Sequence, residues 1–216
     1  MGDTLPSENE LTKMFGVSRI TVVRAMKELE TLGIIKRYWG KGTIVERDLT
    51  FHHHLPLLTS FSEDMLKMNL KPSSKTLSWE VGNQSEIMSK LKLNKNSNYL
   101  FIKRLRLANN KPLGINLLYV PNFIAEQINL IKYLETNCDF SFYELIENNH
   151  IKINYGIQTI RAISNTTEFS KILGISIDEP LIKFERTTFD EFNRVIEYVE
   201  SFYPGNKYIY EIKLIR

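Results

Sequence analysis

Two arginines placed two residues apart in an apolar run are the first sign of chemistry in this sequence. In Leu100-Phe101-Ile102-Lys103-Arg104-Leu105-Arg106, strand alternation puts Arg104 and Arg106 on the face that also carries Leu100, Ile102 and Ala108. A guanidinium stays charged, so two of them on a partly apolar face call for an anion. In the run 195–203 the same period places Glu197 and Tyr203 with Val195 and Val199, again a polar pair on an apolar face. These groups pair with one another in a structural ion pair, or they meet a ligand; spacing alone leaves both open. Ser60 and Ser141 each precede a helical run with a glutamate three residues on, Glu63 and Glu144. Such capped helix starts offer a hydroxyl and backbone N–H groups to an anion, and Tyr143 would add a phenol in the first turn. The collection suits a phosphate at one end and sugar hydroxyls at the other.

No other grouping suggests catalysis. The lone Cys138 has no histidine or cysteine at metal-ligand or catalytic spacing and reads as an ordinary thiol. His52, His53 and His54 are consecutive, so in an extended segment they point to alternate sides, and no acid or cysteine completes a metal set. His150 reads as structural. No nucleophile–base pair is visible, so the expectation is a binding protein, with no metal and no cofactor; an enzyme is the less favoured class.

A second kind of chemistry sits in the first fifty residues. Ser7 and Glu10 form a capping box opening a helix over about 8–15, with Leu11 and Phe15 as an apolar stripe. Gly16 can take the left-handed conformation that turns the chain, and Ser18 caps a second helix over about 19–32. That helix carries Val22, Ala25, Met26, Leu29 and Leu32 on one stripe and Arg19, Arg24 and Lys27 elsewhere. Helix, glycine turn, helix is the plan whose second helix reads the major groove. Two short strands around Gly40-Lys41-Gly42 then make a wing, where glycines admit a phosphate backbone and Lys36, Arg37 and Lys41 supply sequence-independent attraction.

These groups need two folded units. The chain has 216 residues, 43% of them hydrophobic and 25% charged, with a formal net charge of +3. That is ordinary globular composition. No apolar run is long enough to span a bilayer and the start lacks signal-peptide character, so a cytoplasmic protein is expected. We read 1–48 as the winged helix-turn-helix, 49–59 as a polar linker and 60–216 as a larger α+β domain. In the latter, helices are expected near 60–68, 85–91 and 141–148. Strands are expected near 77–81, 99–108, 113–120, 155–163, 181–189 and 195–203, with 208–214 closing a mainly antiparallel sheet.

The motifs Leu-Pro-Ser-Glu-Asn-Glu-Leu at 5–11, Val-Ser-Arg-Ile-Thr-Val at 17–22, Leu-Glu-Thr-Leu-Gly-Ile at 29–34 and Gly-Lys-Gly-Thr-Ile-Val at 40–45 resemble the GntR family of bacterial regulators. The resemblance implies that Ser18, Arg19, Thr21 and Gly42 contact DNA, and Ser7, Arg24, Lys41 and Thr43 complete the DNA-binding set. Val23 stands where the family carries a second arginine, with Arg24 one position further on, and Asn9 replaces a frequent arginine, so no operator sequence is implied. Family members carry a further helix before this run, whereas Met1 here is followed at once by Gly2-Asp3. The expectation is a winged helix-turn-helix lacking its usual first helix, with the stripe Leu11, Phe15, Val22, Met26 uncovered.

Residues 60–65 (Ser-Phe-Ser-Glu-Asp-Met), 104–106 with 111–114, 141–143, Arg186 to Asp190, and Ile196-Glu197 with Tyr203 resemble the UTRA domain of the HutC subfamily. The resemblance implies a chorismate-lyase-like fold used without catalysis, and an effector site at Phe61, Arg104, Arg106, Ser141, Tyr143, Glu197 and Tyr203. Asn116 occupies a position where amino-sugar sensors would carry an acid, which leaves the ligand open. The expected protein is a homodimeric, ligand-responsive regulator of double-stranded operator DNA. It would repress carbohydrate uptake or catabolism genes under control of a sugar phosphate or amino-sugar phosphate. The alternative is a metabolite-binding dimer that no longer binds DNA.

Overall fold

A computed structural model describes residues 4–31, 35–39, 42–45, 51–55, 58–136 and 139–212. The chain divides into two compact units, 1–53 with 207–211, and 54–206 with 212–216. Lys41 and Cys138 lie outside the described residues, as do Leu32, Gly33 and Gly40.

In the first unit, α1 (Glu8–Phe15) opens on Ser7, whose hydroxyl accepts from the Glu10 N–H while the Glu10 carboxylate accepts from the Ser7 N–H at 2.7 Å. Gly16 ends it at φ 62°, a conformation a Cβ would disfavour. The second helix, α2 (Arg19–Thr31), starts under Ser18, which accepts from the Thr21 N–H at 3.2 Å. β1 (Ile35–Tyr38) and β2 (Gly42–Val45) pair antiparallel as the wing. The Leu5 N–H donates to the Thr43 carbonyl at 2.8 Å, tying the start of the chain to the wing. Val22, Met26 and Ile35 form the core, with Leu5, Leu11, Leu29 and Val45 packed around it. The expected stripe therefore splits. Val22 and Met26 are buried, Leu11 is half-buried, and Phe15 is exposed together with Met14 and Ile20. Ala25, expected to face inward, is exposed, because the inward face narrows to the positions four apart, 22 and 26.

The stretch expected to be a linker contains a strand, β3 (Phe51–Leu55). It pairs with β10 (Tyr208–Ile212) in a separate two-stranded sheet, so the last strand does not close the main sheet. Alternation cannot assign partners: an apolar run at the end of a chain fits any available edge.

The second unit is a six-stranded antiparallel sheet of order β4-β5-β6-β9-β8-β7. Its strands are β4 (Pro72–Gly82), β5 (Tyr99–Ala108), β6 (Lys111–Pro121), β7 (Ile153–Ile163), β8 (Leu181–Asp190) and β9 (Val195–Pro204). β4 is longer than expected because Ser73 to Lys75, polar in sequence, still pair with β5. Asn109 and Asn110, at φ 49° and 64°, make the tight turn between β5 and β6. One face is covered by α5 (Asn122–Gln127), α6 (Leu130–Glu135) and α7 (Phe142–Asn148), packed on Leu100, Ile102, Leu118, Val120, Ile196 and Val199. The opposite face is covered at its ends by α4 (Ser85–Lys90) and α8 (Thr167–Leu173). The sequence reading did not anticipate α5, α6 or α8. They are six or seven residues long, too short to show a clear helical period. A further short helix, α3 (Phe61–Lys67), precedes β4.

A bulge interrupts the alternation of β9. The register shifts between Thr188 and Phe189, so that Thr188 pairs with Glu197 but Phe189 pairs with Val195. The extra residue, Ile196, joins Val199 on the helix-covered face, while Val195 packs against Phe189 and Tyr198 on the other. Glu197 is thus flanked by Ile196 rather than Val195.

Candidate functional site

Strand β5 continues from its apolar half straight into charge. Leu100 and Ile102 are fully buried beneath the helices, and the next two residues on that face are Arg104 and Arg106, 1% and 7% exposed. Asn116, directly across on β6, uses one carbonyl oxygen for both: it accepts from Arg104 Nη2 at 3.0 Å and from Arg106 Nη2 at 3.4 Å. Its amide donates to Ser201 Oγ on β9 at 3.0 Å. Arg106 Nη1 also donates to Ser74 on β4 at 2.6 Å. Aromatic rings complete the setting, Phe61 beside Arg106 and Phe140 beside Arg104, each about 5.1 Å from the guanidinium.

The acid side lies on β8 and β9. Glu197, 3% exposed, accepts from Thr188 at 2.8 Å and from Tyr143 at 3.0 Å through a single oxygen. Arg186 Nε is 3.8 Å from that oxygen, and Arg186 Nη1 donates to the Thr59 carbonyl at 3.3 Å. Tyr203 closes the cluster against Gly114, where a Cβ would come within 2.5 Å of the phenol ring. Gly114 is required because the β6 backbone and the Tyr203 ring lie in contact.

Charge does not balance here. Arg104, Arg106 and Arg186 face one buried carboxylate, Glu197, while Asp64 and Asp139 act from a half-buried and an exposed position. Arg104 Nε and Nη1, Arg106 Nε and Arg186 Nε are buried with no hydrogen-bond partner among the described residues. Burial, and then the neighbouring Arg106, hold the Arg104 guanidinium well below its ordinary range, and burial lowers Arg106. Burial also works against Arg186, but Tyr143, Glu197 and Tyr203 outweigh it and raise the guanidinium. The Tyr143 phenol is pushed up by burial and then by Glu197. Two buried guanidiniums and a half-buried third against one buried carboxylate, with N–H groups to spare, suit a dianion.

Of the predicted site residues, Phe61, Arg104, Arg106, Tyr143, Glu197 and Tyr203 lie in this cluster. Ser141 caps α7, accepting from the Glu144 N–H at 3.5 Å, and the expected reciprocal bond from Glu144 is not formed. The helix start at Ser60 is not free for a ligand either, because Glu63 places its own carboxylate there, 2.6 Å from the Ser60 N–H. The anion chemistry therefore belongs to the guanidiniums. Sequence reasoning missed Arg186, Thr188, Ser74 and Ser201 as site residues. The alternation Phe184, Arg186, Thr188 was visible in the sequence, but bringing it to Glu197 needed the bulged register of β8 and β9.

In the first unit, Ser18 at the cap and Arg19, Thr21 and Arg24 on α2 are exposed, and Gly42 on the wing is exposed at φ 83°. Thr43 is half-buried and its carbonyl is engaged by Leu5. Ser7 is committed to its cap, donating to Glu10 at 2.8 Å. Glu8 draws Arg37 to 3.1 Å and Arg19 to 3.8 Å. Among the described residues there is no group of three or more histidines, cysteines or acids arranged to hold a metal, and no helix long and apolar enough to cross a membrane.

Comparison with known proteins gives the family. The UTRA domain profile matches residues 67–209, and that of the bacterial regulatory proteins of the gntR family matches residues 1–45. The HTH-type transcriptional repressor NagR of Bacillus subtilis is 33% identical over 208 residues, 95% of this chain and 83% of that protein. The mannosyl-D-glycerate transport/metabolism system repressor MngR of Escherichia coli is 27% identical over 208 residues, covering 96% and 85% respectively. The crystal structure of PhnF from Mycobacterium smegmatis superposes with a TM-score of 0.80 at 22% identity, covering 100% of this chain and 93% of that one.

Proposed function

This chain belongs to the gntR family of bacterial regulatory proteins, in the HutC-type arrangement with a UTRA domain, and from that premise we propose that it is a repressor released by a phosphorylated sugar. Its class is thereby a transcriptional regulator and not an enzyme. The observation that carries the finer reading is the undercompensated cluster of buried Arg104 and Arg106 with half-buried Arg186. A phosphate monoester supplies close to two negative charges at neutral pH and three acceptor oxygens for the spare N–H groups. Glu197 then offers its second oxygen, and Tyr203 its phenol, to sugar hydroxyls. Of the predicted contacts, Phe61 packs beside Arg106, and Ser141 and Tyr143 hold the α7 side. The name of MngR ties a relative to a sugar derivative, which supports carbohydrate genes as the target.

Arg186 gives the ligand a route outward. Its Nη1 holds the Thr59 carbonyl, and Thr59 itself donates to Asp64 at 2.6 Å, so an anion that recruits Arg186 competes with its grip on the 58–60 segment. Release of DNA follows if the two ligands favour different arrangements of that segment. On the DNA side we assign Ser18, Arg19, Thr21, Arg24, Lys41, Gly42 and Thr43 to the interface, with Ser7 shaping α1. The protein acts in the cytoplasm as a homodimer on a two-fold operator. The test is a mobility shift with DNA from upstream of its own gene, with and without a panel of sugar phosphates. Binding reversed by one phosphorylated sugar and not by its unphosphorylated form is expected; binding indifferent to every phosphorylated sugar removes the proposal.

A further inference from the structure

Three shielded cations of the second unit are met by acids. Lys183 lies 2.5 Å from Glu200 and 3.5 Å from Glu185, Lys103 pairs with Glu168, and Arg186 has Glu197 at 3.8 Å. Arg104 and Arg106, more deeply buried, are treated differently. Their hydrogen bonds go to neutral groups, Asn116 and Ser74, while Glu197 and Asp139 act on them only through space. Asn116 is 5% exposed and stands across from Arg104 on β6. Its carboxamide can face the arginines only with its oxygen, because guanidinium and amide N–H groups are all donors. The amide nitrogen then meets Ser201 Oγ at 3.0 Å. One neutral oxygen thus holds two guanidiniums in place and cancels neither charge. A carboxylate has the same shape as a carboxamide and would close an ion pair with both. The chain instead tolerates the repulsion between Arg104 and Arg106.

We infer that Asn116 sets the charge of the ligand: by holding Arg104 and Arg106 through one neutral oxygen it reserves both positive charges, and so selects a dianion over a monoanion of the same shape. The inference rests on the anion site proposed above and names what that site selects. Arg186 already has Glu197 beside it, which leaves Arg104 and Arg106 to the ligand. A phosphate monoester, close to doubly charged at neutral pH, matches them. A sulfate ester, a phosphate diester or a sugar acid carries one charge and would leave a buried guanidinium uncompensated, which is costly. The ligand class is thereby a terminal phosphate monoester. After Asn116→Asp one surplus charge would remain, and a monoanion would match it.

The test titrates the full chain calorimetrically with methyl phosphate and methyl sulfate, which match in shape and differ by one charge at about pH 8. The unaltered protein should bind methyl phosphate at least about tenfold more tightly. Asn116→Asp should bring the two affinities within about threefold of each other, chiefly by weakening methyl phosphate. Asn116→Ala, which removes the bridge but no charge, should weaken both anions and keep the preference. Ser74→Asp sets a carboxylate against Arg106 from β4 and should narrow the preference as Asn116→Asp does, so it decides the matter if Asn116→Asp does not fold. A preference for methyl phosphate that survives in the aspartate variants overturns the role of Asn116 and leaves the dianion site standing. An unaltered chain that binds both anions alike, or neither, overturns the dianion site and this inference with it.

Discussion

The arginines of the two units differ in burial, and the roles proposed for them follow from that. On the N-terminal unit Arg19 is 73% exposed at its side chain and leans on Glu8 at 3.8 Å, and Arg37 is shared between Glu8 and Glu30. In the sheet domain Arg104 and Arg106 are buried, bonded to neutral Asn116 and Ser74, and keep N–H groups without partners. An exposed guanidinium exchanges water and counterions for phosphate at little cost, so it suits a long polyanion and is weakened by salt. A buried one has already lost its water and is satisfied only by an anion that fits. Under the proposed function, the same residue type would serve affinity on one unit and selectivity on the other.

The contrast can be broken most severely at Arg104. Arg104→Met should weaken effector binding at least a hundredfold by calorimetry, yet thermal unfolding of the ligand-free protein should hold or rise, since an uncompensated buried charge is removed. Glu197→Gln should do the opposite to stability. With Arg186 left without its buried counter-charge, the unfolding temperature should fall by several degrees, corresponding to about 2–4 kcal/mol, and selectivity among sugars should loosen while phosphate dependence remains. Gly114→Ala should disturb the site sterically, costing about 1–3 kcal/mol and weakening ligand binding by displacing Tyr203. The smallest change sharpens the comparison at its other end. Raising salt from 50 to 200 mM should reduce DNA affinity by orders of magnitude but effector affinity only a few-fold, read by fluorescence anisotropy and calorimetry on the same preparation.

What could be read from the sequence follows the reach of local rules. The caps at Ser7, Ser18 and Ser60, the turn at Asn109-Asn110, and the pairing of Arg104 with Arg106 on one face all depend on residues within a few positions of each other. The place of β10, the bulge that replaces Val195 by Ile196 beside Glu197, and the short helices α5, α6 and α8 depend on register and packing between distant segments. Arg186 shows the boundary between the two. Its alternation with Thr188 was plain, but its meeting with Glu197 and Thr59 exists only once β8 and β9 are in register and Thr59 lies against β8.

The arginine cluster is proposed as a site for one compact dianion. Calorimetric titration of the protein with a sugar phosphate, its unphosphorylated sugar and inorganic phosphate, between pH 5 and pH 8, tests it directly. Binding should require the phosphate and strengthen as pH rises through about 6, where the second phosphate proton is lost. Equal affinity for the phosphorylated and unphosphorylated sugar, with no change across that range, would contradict it.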